Sequence, residues 1–179
     1  MNTTHTLDAP NPMSTGTPTP PSRSLLRWSA ALATDADAAA AVARIALGVM
    51  ILPHGLQKTL GWFGGFGFTG TMSYFTETMG IALPLAFLAI AAESLGGVAL
   101  IVGLGGRLAA MGVGTVIVVA ALTSHVQNGF FMNWFGTSPA GAEGWEFHLL
   151  AAALALVVVL RGSGALSLDR ELLRHRHMR

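Results

Sequence analysis

The 179-residue chain contains no cysteine. That excludes a dithiol relay, thiolate metal ligation and an iron–sulfur cluster held by this chain alone. Charge is scarce as well. Only 11% of residues are Asp, Glu, Lys or Arg, where a globular domain carries about a quarter. The net charge of +1 offers no basic footprint, so nucleic acid is not an expected partner. Residues 1–37 lack an apolar h-region and a small-residue cleavage site. Membrane insertion would therefore fall to the first apolar segment itself.

What is present is apolar. Hydrophobic residues make up 52% of the chain and the mean hydropathy is +0.57. A bilayer's hydrocarbon core takes about 20 residues of helix. Four segments come near that length: 38–60, 81–104, 108–127 and a shorter one at 145–160. They predict an all-α integral membrane four-helix bundle over 38–165. Gly96 and Gly97 would let neighbouring helices approach closely. Residues 1–37, rich in Pro, Thr and Ser, are expected to be disordered. A short surface piece would run from Leu25 to Leu32, and Asp35 or Asp37 would cap the first span. The stretch 61–80 is too glycine-rich at 61–67 for a regular helix, with a short helix expected over 69–79. Its aromatics, and those of 128–144, suit a membrane interface.

Orientation follows from basic residues. Arg23, Arg27, Arg44, Arg107, Arg161, Arg170, Arg174, Arg176 and Arg179 fall on one side, and only Lys58 on the other. Both termini are then cytoplasmic and the two aromatic loops face outward. The arginine-rich tail, 166–179, would be a short helix on anionic lipid or a handle for a partner. This is the topology of a multi-pass protein of a bacterial-type inner membrane.

Polar residues inside such spans are costly and call for a reason. On this topology His54, Gln57 and Lys58 lie near the outer end of the first span, and His125 near that of the third. Glu146 and His148 start the fourth, and Glu93 lies deeper, near the midplane. Each has a plainer role available. Lys58 would snorkel to headgroups, Glu146 would favour a helix N-terminus, and His125 would cap a helix end. His148 would hydrogen-bond within the bundle. Arg44 would form a structural ion pair with Glu93 or reach the inner surface. Glu93 is hardest to explain away, because a mid-membrane carboxylate needs a cation, a proton or a network.

Three chemistries would use this set. Histidines could donate to a quinone's carbonyls while Glu93 relays protons. Two histidines could ligate haem, or three with a carboxylate a metal, although no H-E-x-x-H motif occurs and no metal site is assigned. Lys58 and the histidines could hold a small oxyanion.

Several short motifs recur in a fixed order: Arg44-x-x-Leu47-Gly48, His54-Gly55-x-x-Lys58 and Gly64-Gly65-x-Gly67. They continue with Glu93-x-x-Gly96-Gly97, then Leu104 and Arg107, Glu146, Gly162-Ser163-Gly164 and Ser167-Leu168-Asp169. Over about 40–170 the chain resembles the DoxX family of small four-helix membrane proteins. That family is similar to membrane subunits of thiosulfate:quinone oxidoreductase. The resemblance implies a quinone cofactor and a subunit that oxidises a small sulfur species such as thiosulfate. His54, Lys58 and Glu93 match the family's polar positions and would be catalytic. His125, Glu146, His148 and Gln57 would bind substrate or quinone. The alternative is a non-catalytic anchor or scaffold for soluble redox enzymes, or a small-solute passage. The glycine-rich faces would permit a homo-oligomer.

Overall fold

The computed structural model describes residues 34, 36–139 and 141–177. The expected surface piece at 25–32 and most of the expected disordered segment 1–37 lie outside the described residues. Among those described, the chain is helical and has no strand.

Helix α1 is Ala38–Leu60, α2 is Gly67–Ser73 and α3 is Leu83–Val102. Helix α4 is Gly106–Ala120, α5 is Glu146–Arg161 and α6 is Leu168–His177. Asp37 caps α1, its carboxylate accepting from the N–H groups of Ala39 at 2.9 Å and Ala40 at 3.2 Å, while Asp35 lies outside the described residues. Pro53 lies inside α1 without ending it, and Gly61, at φ 74°, closes it in the left-handed conformation glycine adopts freely. Helix α2 widens into a π-type turn over Tyr74–Thr78. The same happens to α4 over Ala121–His125, after which a 3-10 turn carries it to Asn128.

Among the described residues three helical runs are long and apolar enough to cross a membrane: Ala38–Leu60, Leu83–Val102 and Gly106–Asn128. The fourth, α5, has 16 residues, about 24 Å of rise against a hydrocarbon thickness of roughly 30 Å. The four long helices pack in cyclic order α1, α3, α4, α5, with α1 also against α5. Their shared core is Leu47 and Ile51, Leu100, Val113 and Ile117, and Ala151, Ala155 and Val158. The outer faces are as apolar as the core. Leu83, Leu95, Leu108, Leu122, Leu150 and Leu160 are all exposed. Apolar both inside and out is the pattern of helices solvated by lipid. Helices α1 and α3 approach at glycine: a Cβ on Gly55 would stand 2.6 Å from the Ser94 Cα. Larger residues there would push the helices apart.

The end that holds both α1's start and α6 carries a buried polar clasp. Arg44 is fully buried and does not pair with Glu93 as expected from the sequence. Its guanidinium donates to the carbonyls of Leu100, Ile101 (2.8 Å), Ser163 (2.7 Å), Ala165 (3.4 Å) and Leu166 (3.0 Å). The first two belong to the last turn of α3, whose carbonyls have no helical partner. Glu93 lies about 10 Å further along the same helix, too far for one side chain to serve both. Nor does Arg44 reach a surface. Asp169, also buried, sits beside it and accepts from Gly105 N–H at 2.7 Å, Gly106 N–H at 3.1 Å and the Ser163 hydroxyl at 2.5 Å. A carboxylate at the N-terminus of α4 offsets that helix's dipole. The tail is therefore tied into the fold and does not merely lie on its surface.

Candidate functional site

At the opposite end of the helices the packing opens into a cavity of about 370 Å³. Every long helix contributes a polar side chain. His54 and Lys58 come from α1, Glu93 from α3, His125 from the end of α4 and His148 from α5. Five of the residues expected at a polar pocket, His54, Lys58, Glu93, His125 and His148, line this cavity. Ile51, Val116, Ile117, Ala120 and Phe147 form apolar wall.

Lys58 and Glu93 are the deepest charged groups. Their ammonium and carboxylate are 2.5 Å apart, with the side chains 22% and 7% exposed. Lys58 therefore turns inward to a partner and does not snorkel outward. The i, i+4 spacing puts His54 on the same face of α1. Its ring stands 6.4 Å from that of Phe147.

The π-type turn at Ala121–His125 changes the helical register just where His125 must face the cavity, a known use of such bulges. His125 Nδ1 lies 2.9 Å from the carbonyl oxygen of Glu143. A carbonyl only accepts, so Nδ1 carries the proton. In neutral His125 the Nε2 atom is then an acceptor and a proton-taking site. The His125 and His148 rings are in contact, centroids 4.2 Å apart and planes tilted by 38°. His148 Nδ1 is buried and has no hydrogen-bond partner among the described residues. A buried polar atom left unpaired costs about 1–3 kcal/mol unless something satisfies it.

Two expected site residues do other work. Gln57 does not line the cavity; its amide donates to the Phe63 carbonyl at 3.3 Å and steadies the turn after α1. Glu146 does not line it either. Its carboxylate accepts from the Met132 N–H at 3.1 Å and the Trp134 indole N–H at 3.3 Å, which fastens the 129–145 loop over α5. That loop brings residues the sequence did not single out. Met132 and Glu143 both line the cavity. Asn128 holds the same Glu143 carbonyl as His125, at 3.1 Å. No periodicity marks a loop residue, so only the folded-back path of 129–145 reveals them. Among the described residues no group of three His, Asp or Glu is placed to hold a metal ion.

No curated protein and no solved structure matches the chain. The DoxX family model does, over residues 39–126. That match runs from the first turn of α1 to just past His125, and so takes in Arg44, His54, Lys58 and Glu93. With those residues already placed by the fold, the match and the ordered motifs agree, and both are consistent with a DoxX family assignment.

Proposed function

We propose that this chain is a multi-pass protein of the inner membrane, a four-helix bundle with both termini on the cytoplasmic side. Its cavity opens toward the outer leaflet and receives the head of a quinone. The protein acts as the membrane subunit of a quinone-linked oxidoreductase whose reductant is a small sulfur species such as thiosulfate. One observation carries the proposal: polar side chains from all four helices converge on a single cavity at one end of an otherwise apolar bundle.

The residues fit such a head. A volume of about 370 Å³ is at the small end of ligand pockets, which run about 300–1,000 Å³, and suits a substituted ring. The cavity combines apolar wall residues with a few polar groups, the composition ligand pockets favour. His148 Nδ1 is a buried polar atom in need of a partner. A bound quinone supplies a two-electron, two-proton acceptor. The chain's own part is binding and proton handling. His148 and His54 orient the head, and His125 Nε2 can take or give a proton while its Nδ1 stays on the Glu143 carbonyl. The Lys58–Glu93 ion pair sets a charged donor and a charged acceptor against each other at the cavity wall. Ile51, Ile117 and Phe147 exclude water from the inner side.

The first experiment is organic extraction and metal analysis of the purified protein, with an absorbance spectrum. Bound quinone without metal supports the proposal, and a Soret band would move the histidines to haem ligands. Glu93→Gln should then abolish quinone reduction while the protein still inserts. Unchanged reduction in that variant removes Glu93 from the proton path.

The second reading, an anchor for a soluble redox enzyme, draws on α6. The Asp169 clasp mounts this helix firmly and leaves Arg174 64% exposed. Reversing charge with Arg170→Glu and Arg174→Glu tests it without removing Asp169. Loss of partner recruitment with an intact cavity favours the anchor.

A further inference from the structure

We infer that the outer wall of the cavity is a strap fastened at two points, and that Glu146 is the positioning residue that keeps it closed over a bound ligand. For its ligand this rests on the quinone proposal above; the strap itself does not.

The strap is made of the two ends of the loop between α4 and α5. The N–H groups of Gly144, Trp145 and Glu146 donate to the carbonyls of Phe131 at 3.1 Å, Gly129 at 3.3 Å and Phe130 at 2.9 Å. The two segments touch so closely that a Cβ on Gly144 would stand 2.5 Å from the carbonyl oxygens of Gly129 and Phe131. Three backbone bonds thus zip 129–131 to 144–146. The residues that flank this zip, Met132 and Glu143, both line the cavity. A movement of the zip is therefore a movement of the cavity wall. At its root Gly129 has φ 85° and ψ −170°, a conformation essentially confined to glycine and a joint at which the strap can turn.

Each side of the zip is fastened to a different helix. On the α4 side the Glu143 carbonyl accepts from His125 Nδ1 at 2.9 Å and from the Asn128 amide at 3.1 Å. On the α5 side a single oxygen of Glu146, Oε2, accepts from the Met132 N–H at 3.1 Å and the Trp134 indole N–H at 3.3 Å. Trp134 is informative here. A tryptophan at a membrane interface ordinarily keeps its ring in the apolar layer and offers its N–H to the wet side. This ring is 74% exposed, yet its N–H is spent on Glu146. The indole serves as part of a fastening.

Closure and ligand binding share His125. The strap takes Nδ1 and leaves Nε2 for a ligand. A ligand bonded to Nε2 fixes the ring, and a fixed ring holds the Glu143 carbonyl. By reciprocity, a closed strap holds His125 ready for the ligand. The closed strap is the binding-competent form, so loosening Glu146 lowers the apparent affinity by the fraction of closed strap that is lost. Glu146 does this without touching the ligand, since it does not line the cavity.

The test combines hydrogen–deuterium exchange with calorimetric titration of decylubiquinone, on the full chain in detergent at pH 7.5. In wild type the amides of 129–132 should exchange slowly, and more slowly still with the quinone bound. Glu146→Ala should speed that exchange and weaken quinone binding about tenfold, the worth of one bond to a charged group. Glu146→Gln keeps an acceptor oxygen and should recover most of both. Trp134→Phe keeps a ring but loses the N–H, and should weaken binding about threefold; it carries the test if Glu146→Ala does not fold. Wild-type quinone affinity in these variants overturns the inference, even where their melting temperature falls, because Glu146 is then only structural. So does exchange of 129–132 that Glu146→Ala leaves unchanged. A wild type that binds no decylubiquinone overturns the quinone proposal instead, and the strap then stands or falls on the exchange of 129–132 in Glu146→Ala.

Discussion

The chain buries charge at both ends, and the two ends treat it differently. In the clasp Arg44 and Asp169 spend every bond on groups the fold itself leaves open: carbonyls at the end of α3, amides at the start of α4 and a serine hydroxyl. In the cavity, among the described residues, Lys58 and Glu93 serve only each other, His148 Nδ1 serves nothing, and all of them border about 370 Å³ of space. Buried charge bonded to backbone maintains architecture. Buried charge bonded to side chains beside a cavity is available to a ligand. Burial alone would have ranked the two ends the wrong way round, since Arg44 is the more buried.

The largest test of this contrast is Arg44→Met. It would leave several carbonyls unsatisfied, at about 1–3 kcal/mol each if they stay buried. Folded protein should be lost, read as yield and as melting in detergent. Wild-type melting with lost ligand binding would invert the comparison. Asp169→Asn should be the next most damaging. It weakens three charge-assisted bonds and should cost roughly 3 kcal/mol, with cavity affinity for decylubiquinone unchanged in the protein that folds. The cavity should show the reverse pattern. Removing one partner of its ion pair, as in Lys58→Met, strands the Glu93 carboxylate and should cost about 2–4 kcal/mol. Replacing both, Lys58→Met with Glu93→Leu, should restore wild-type melting or exceed it while quinone reduction stays lost. A double variant less stable than the single one would show that the pair is architectural after all.

The helices and most of the cavity were legible in sequence for one reason. In lipid, any ionisable residue within an apolar run stands out, and helical rise places it in depth. His54, Lys58, Glu93, His125 and His148 were found that way. Partners were harder to read. Arg44 and Glu93 are opposite charges in facing helices, and pairing them is reasonable until the register is known. The Gly55–Ser94 contact sets that register and puts Lys58, not Arg44, against Glu93. Glu146 and Gln57 share the outer end of the bundle with the cavity, yet loop and turn groups claim their polar atoms. Glu143 and the clasp residue Asp169 sit outside the apolar runs. Their roles depend on where a loop and a tail fold back, which periodicity does not encode.

The smallest effect expected is also the most graded. Asp37 links the start of α1 to the end of α5: its carboxylate caps α1 and lies 2.6 Å from the Arg161 guanidinium. The Ala40 N–H, first, and then Arg161 hold its pKa below the ordinary carboxylate value. A depressed folded value means the stabilisation is complete above the unfolded pKa, about 3.9, and is lost as pH falls through the folded one. Asp37→Asn keeps a capping oxygen but removes the charge. Near pH 7 it should lower the melting temperature by only roughly 2–4 °C, because the ion pair is largely exposed on the arginine side. The difference between wild type and Asp37→Asn should shrink as the pH drops below about 4. A constant difference down to acid pH would mean that shape, not charge, is what Asp37 contributes to the clasp end.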